Sequence, residues 1–158
     1  MNPRQNWIIA ADSRKATLFV CQRVFGGHLH VEQLESLKNM HEAEHERHRP
    51  TLGGGAERQG SIARSGAHAA PHAVAERHTA EEEELRFARE VGRWLDEVRT
   101  DITGSERLTI FAAPRFLGRL RDHVSADLRS ELREGELSGL QPSELAVHPA
   151  VLKAVNHV

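Results

Sequence analysis

Two patterned halves of this chain are separated by a stretch that cannot supply a core. Residues 39–78 carry six of the eleven histidines, the run Gly53-Gly54-Gly55 and almost no large apolar side chains. A compact domain rarely keeps an unstructured connection longer than about 15 residues unless that connection is functional or disordered. The fold must therefore come from the flanking halves. The segment 39–78 is expected to be a long, flexible loop and the first place to look for function.

The half before the loop reads as a β-meander. Trp7–Ala11 is a short apolar run suited to a strand covered on both faces. Asp12-Ser13-Arg14 is turn chemistry, because an aspartate side chain bonds backbone amides two residues on. Ala16–Val24, rich in branched and aromatic residues, is a second strand, and Gly26-Gly27 turn the chain back. His28–Leu37 alternates as a third strand whose register slips near Leu34.

After the loop the period changes to that of a helix. Thr79 with Glu82 three residues on has the spacing of a capping box. Glu81–Glu84 would suit the positive end of the helix dipole. Leu85, Ala88, Val91, Leu95 and Val98 recur at helical spacing, with Phe87 and Trp94 widening the stripe. Leu108–Ala113 is a short buried strand, and Pro114 suits the first turn of a following helix. Phe116, Leu117, Leu120 and Val124 make that helix's apolar face. Ser125 is placed to cap a further helical segment carrying Leu128 and Leu132. Glu136–Leu140 reads as a final strand, Pro142-Ser143-Glu144 as the start of a short helix, and Pro149 as an interruption of the chain beyond it. The order is βββ–loop–αβαβα. Strand–helix–strand crossings favour parallel pairing, so the expected fold is a single α/β domain over residues 1–158, a mixed five-stranded sheet with helices on its faces.

Charge and composition narrow the function classes. The net charge is −2, so no global basic field draws the chain to nucleic acid or anionic lipid. Residues 39–78 hold five arginines against five glutamates, and their histidines would turn the segment positive in mild acid. Cys21, the one cysteine, falls in an apolar strand pattern, which points to a small buried thiol and excludes an internal disulfide. No apolar run approaches the ~20 residues that span a bilayer, and the opening residues lack the apolar core of a signal peptide. The expectation is a cytoplasmic protein with no membrane contact.

Three groups of residues carry candidate chemistry. Gly53, Gly54 and Gly55 would let backbone amides approach a phosphate, with Arg47, Arg49, Arg58 and Arg64 forking its oxygens and Gln59 nearby. The alternative is a solvated linker whose arginines are matched by Glu42, Glu44, Glu46 and Glu57. Arg115 and Arg119 lead a basic helix that would meet RNA phosphates; the alternative is surface pairing with acidic neighbours. His41, His45 and His48 fall on one side of any helix they form and would offer imidazoles to a divalent metal, although the spacing matches no closed zinc pattern. Asp12 follows the first strand, where a nuclease would hold a metal carboxylate, but no second and third carboxylates accompany it and an Asx turn explains it better. No serine sits in a nucleophile-elbow context, so catalytic residues are not assigned.

The stretches WIIAADSRKATLF, ELRFAREVGRWLDE, LTIFAAPRFLGRLRDHVSADLRSEL and EGELSGLQPSEL together resemble the bacterial host attachment proteins, described as required for attachment to host cells. The same architecture, of ribonuclease-H-like type, is similar to the middle domain of archaeal and eukaryotic class 1 peptide-chain release factors. There a Gly-Gly-Gln loop precedes a long helix and enters the peptidyl-transferase centre. Here Gly55 is followed by Ala56, and Gln59 by Gly60, so the tripeptide is absent. The resemblance implies the fold and a ribosome or tRNA context, without peptidyl-tRNA hydrolysis. The combined expectation is a non-enzymatic module presenting 39–78 to a ribosome, tRNA or other RNA. The alternatives are a factor acting indirectly in host attachment and a metal-binding protein. The sequence leaves protein partners and oligomeric state open.

Overall fold

The computed structural model describes residues 4–40, 69–102, 104 and 106–156, and of residues 69–78 the backbone alone. The strands are β1 (Asn6–Ala11), β2 (Lys15–Arg23), β3 (Leu29–Lys38), β4 (Arg107–Ala112) and β5 (Leu132–Glu134). They form one sheet in the order β3-β2-β1-β4-β5. β1 pairs antiparallel with β2 and parallel with β4; β2–β3 is antiparallel and β4–β5 parallel. The helices are α1 (Ala69–Asp101), α2 (Pro114–Arg121), α3 (Ala126–Arg129), α4 (Pro142–Leu145) and α5 (Pro149–Asn156). The expected mixed five-stranded α/β sheet is the observed one.

The central strands are buried on both sides because alternate residues serve two separate cores. Ile9, Ala11 and Leu18 face one way, against Phe87, Val91, Trp94 and Leu95 of α1 and Phe116, Leu117 and Leu120 of α2. Ile8, Ala10, Phe19 and Cys21 face the other, against Leu137, Leu145 and Val151 of the C-terminal segment. The continuous apolar run Ile8–Ala11 thus reflects two layers of cover. The rings of Phe87 and Phe116 lie 5.8 Å apart and join α1 to α2. Gly92 of α1 passes so close to the turn after α2 that a Cβ there would lie 2.3 Å from the His123 carbonyl oxygen.

Several local expectations hold. Gly26 and Gly27 have φ of 95° and 82°, the left-handed conformation that glycine adopts without steric cost. The β2–β3 register shifts between Leu18 and Phe19, which face Glu35 and Gln33, so Leu34 is the extra residue of a bulge. Pro114 is the first residue of α2. Cys21 is fully buried, and desolvation pushes its thiol up to about 12. Trp94 is buried, whereas Trp7 is half-buried and donates its indole N–H to Glu106 Oε2 at 3.1 Å.

Other expectations are corrected. The segment 39–78 is not one loop: Asn39 is buried, and Ala69–His78 already belongs to α1. Thr79 is therefore not the N-cap, and Glu81–Glu84 lie inside the helix rather than at its positive end. The break in apolar pattern after β3 is legible, but the sequence of the first turns of α1 carries no apolar stripe to announce a helix. Ser125 occupies the N-cap of α3 without a side-chain cap bond. α3 ends after one turn, so Leu132 enters β5 instead of a helix, and 136–140 is turn and coil rather than the last strand. A three-residue edge strand is too short to display a period of two. Pro149 opens α5 instead of interrupting it, with His148 Nδ1 accepting the Ala150 N–H at 3.1 Å.

Two outcomes test this packing. Gly92→Ala forces the α1–α2 contact apart, so the loss should exceed the ~1 kcal/mol helix-propensity gain of alanine and leave a net destabilisation of about 1–3 kcal/mol in urea unfolding. Cys21 has a folded pKa above its unfolded value, so the unfolded chain binds fewer protons above pH ~9 and stability falls through the interval from pH ~9 to about 12. Cys21→Ala should lose stability less steeply over that interval than the unaltered chain.

Candidate functional site

The polar residues that the fold gathers lie at one end of the sheet, where the parallel strands finish. β1 and β4 are parallel neighbours whose onward connections leave in opposite directions, to β2 and to α2. Such a switch point opens a ligand crevice in many α/β sheets. Here the crevice is bridged. Ala113 N–H donates to the Ala11 carbonyl at 3.1 Å. Asp12, directly after β1, accepts from the backbone N–H groups of Arg14 and Lys15 through Oδ1 at 2.7 and 2.9 Å, and from the Ser138 hydroxyl through Oδ2. The Asx turn is borne out, and Ser138 is a partner that local sequence reading could not find across 126 positions. A carboxylate so engaged is a structural acceptor, not a vacant metal ligand.

The same turn holds the end of β3. Asn39 Nδ2 donates to Ser13 O at 3.0 Å, and Asn39 N–H donates to Arg14 O at 2.7 Å. Asn39 is 6% exposed. It fixes the point from which the chain leaves toward 41–68. The helix that returns from that segment, α1, is pinned a few turns later. Glu84 Oε2 lies 3.6 Å from Arg115 Nη2 and 3.5 Å from Arg119 Nε, and Arg119 Nη1 donates to the Glu81 carbonyl at 3.4 Å. Glu84 is largely covered, Arg119 partly, and the Arg115 side chain is 72% exposed.

The structure thus places Arg115 and Arg119 together, beside the helix that carries the chain back from the central segment. Arg47, Arg49, Gly53, Gly54, Gly55, Arg58, Gln59 and Arg64 lie outside the described residues, as do His41, His45 and His48. Sequence reading missed a second basic group at this end. Lys15 and Lys38 are direct cross-strand partners in the β2–β3 ladder, and Arg14 immediately precedes Lys15 in the chain. Like charges directly opposite destabilise a sheet. The register that brings them together depends on the Leu34 bulge, so the pairing was invisible before the sheet was known.

A family model described as "Protein required for attachment to host cells" matches residues 7–148. No curated protein matches the chain. The matched span runs from Trp7 in β1 to His148, the residue before α5, and so takes in all five strands but for Asn6, together with α1 to α4.

The Asp12 node makes a direct prediction. Asp12→Ala strands two turn amides and the Ser138 hydroxyl, and should cost about 2–3 kcal/mol in urea unfolding. Ser138→Ala, which removes only the long-range contact, should cost about 1 kcal/mol.

Proposed function

The chain belongs to the family of proteins required for attachment to host cells, and within it we propose a non-enzymatic binding module whose partner is an RNA phosphate backbone, carried by a ribosome, tRNA or other RNA. The observation that carries this reading is the basic root of the central segment. Lys15 and Lys38 oppose one another on the sheet face of Phe19 and Cys21, and Arg115, on the helix that covers the other face, exposes most of its side chain at the same end of the sheet. An opposed lysine pair is a local cost that an anionic partner relieves. Arginine forks and lysine point charges together suit phosphate oxygens, and they position a backbone without reading sequence.

The central segment adds Arg47, Arg49, Arg58 and Arg64 with Gly53, Gly54 and Gly55 to the same reading, as the groups that would follow the backbone outward. The Glu84 pairs do not oppose it. Surface ion pairs contribute about 0–1 kcal/mol, so Arg115 can exchange Glu84 for a phosphate at little cost. The proposed site of action is the cytoplasm, which makes the contribution to attachment indirect. A pool accessible to protease on intact cells would contradict that part.

The reading separates binding from stability in one variant. Lys38→Glu converts the like pair with Lys15 into an opposite pair. The folded chain should be at least as stable in thermal unfolding, while co-sedimentation with ribosomes from lysate falls severalfold. A Lys38→Glu chain that still migrates with ribosomes as the unaltered chain does, or an unaltered chain that does not migrate at all, overturns the proposal.

A further inference from the structure

Phe25 is the most exposed large hydrophobic side chain among the described residues, with its whole ring in solvent at the tip of the β2–β3 hairpin. Small and polar residues are the usual occupants of such a turn. The backbone that carries the ring is nevertheless fixed. Gly27 N–H donates to the Val24 carbonyl at 3.1 Å, and Val24 N–H to the His28 carbonyl at 3.0 Å. Arg23 braces the turn: Nη1 donates to the Gly27 carbonyl at 2.9 Å, and Nη2 donates to Asn156 Oδ1 of α5. The His28 ring closes over Gly26, with Cδ2 3.6 Å from the place a Cβ would take there.

Charge narrows what can cover the ring. From Gln22 to Val31 the hairpin carries Arg23, His28 and His30 and no carboxylate; Glu32 is the first along β3. α5, whose Asn156 meets Arg23, carries Lys153 and no carboxylate. The apolar area is small. Val24, 46% exposed, is the other large apolar side chain exposed at the tip, and two glycines follow Phe25. A protein interface or a lipid surface draws on a wider apolar area than this. One flat aromatic face among cations suits a planar group joined to an anion. An unpaired nucleobase on its phosphodiester backbone is such a group, and it stacks over the area of a single ring.

We propose that Phe25 is a stacking platform for an unpaired base of the RNA whose phosphates the basic end holds. The inference deepens the RNA reading and rests on it. β2 is nine residues long, so Phe25 lies roughly 30 Å from Lys15 at ~3.3 Å per residue. The base on Phe25 and the phosphates at Lys15, Lys38 and Arg115 therefore belong to different nucleotides of one strand. Every base has a π-face, so the platform selects unpaired RNA over duplex without selecting a sequence.

Fluorescence anisotropy at low salt tests it, with a labelled single-stranded oligouridine and an abasic strand of the same length, which keeps the phosphates and lacks the bases. The unaltered chain should bind the oligouridine more tightly than the abasic strand. Phe25→Ala should bind the oligouridine about tenfold more weakly, and the abasic strand as the unaltered chain does. Phe25→Leu, apolar without a π-face, should behave as Phe25→Ala. Phe25→Trp should keep full affinity, with its added indole emission quenched by the oligouridine. Thermal unfolding of each variant should match that of the unaltered chain, because the replaced side chain lies in solvent. A Phe25→Ala or Phe25→Leu chain with full affinity for the oligouridine overturns the platform, while salt-sensitive binding of the abasic strand leaves the basic end standing. If neither strand binds at low salt, the phosphate reading falls and the platform with it. Phosphatidylserine vesicles that bind the unaltered chain but not Phe25→Ala, with oligouridine binding equal in the two, assign the ring to a lipid surface and overturn the proposal.

Discussion

The Asp12 carboxylate is the contact on which the organisation of this molecule turns. One oxygen closes the β1–β2 turn by accepting two backbone N–H groups, and the other takes the hydroxyl of Ser138. The turn it shapes presents the carbonyls of Ser13 and Arg14 to Asn39. Three stretches far apart in sequence thereby meet at one end of the sheet: the β1–β2 turn, the end of β3 and the segment after β5. Backbone groups at strand ends need partners once they are covered. A charged acceptor with two oxygens meets that need more strongly than neutral groups would.

From that node the two faces follow. α1 and α2 cover one side of the sheet through Phe87, Val91, Leu95, Phe116 and Leu120. The Ser138 contact fixes where the C-terminal segment begins its passage over the other side, toward Leu145 and Val151. Arg23 closes the far end by donating to Asn156 Oδ1. The sheet is therefore held between layers that are themselves tied to its ends. α1 is the longest helix, and among its described side chains the fully buried ones begin at Phe87. The functional reading places binding at the Asp12 end, where the body is fixed and the basic groups collect.

What was legible in the sequence followed periodicity. The three-stranded meander, the Asp12 turn, the diglycine hairpin, the bulge near Leu34 and the apolar stripe Leu85–Val98 all show local patterns that each element needs for its own packing. The short elements after α2 were not legible in the same way. Leu132 fits a helical stripe and a strand equally, and a strand of three residues offers no period to choose between them. The first turns of α1 lack an apolar stripe, so they read as part of the loop. At the candidate site, Arg115 and Arg119 were readable as a basic face, whereas Glu84 as their shared partner was not. Ser138 and the Lys15–Lys38 pair depend on register and topology, which no local window contains.

The central functional claim is that the basic end of the sheet engages phosphates. It is tested most directly by following ribosome co-sedimentation of the unaltered chain across a salt titration. The account predicts association at low salt whose affinity falls along a straight line in log–log form, with a slope that counts several released counterions. Association that is indifferent to salt, or none at low salt, would contradict it.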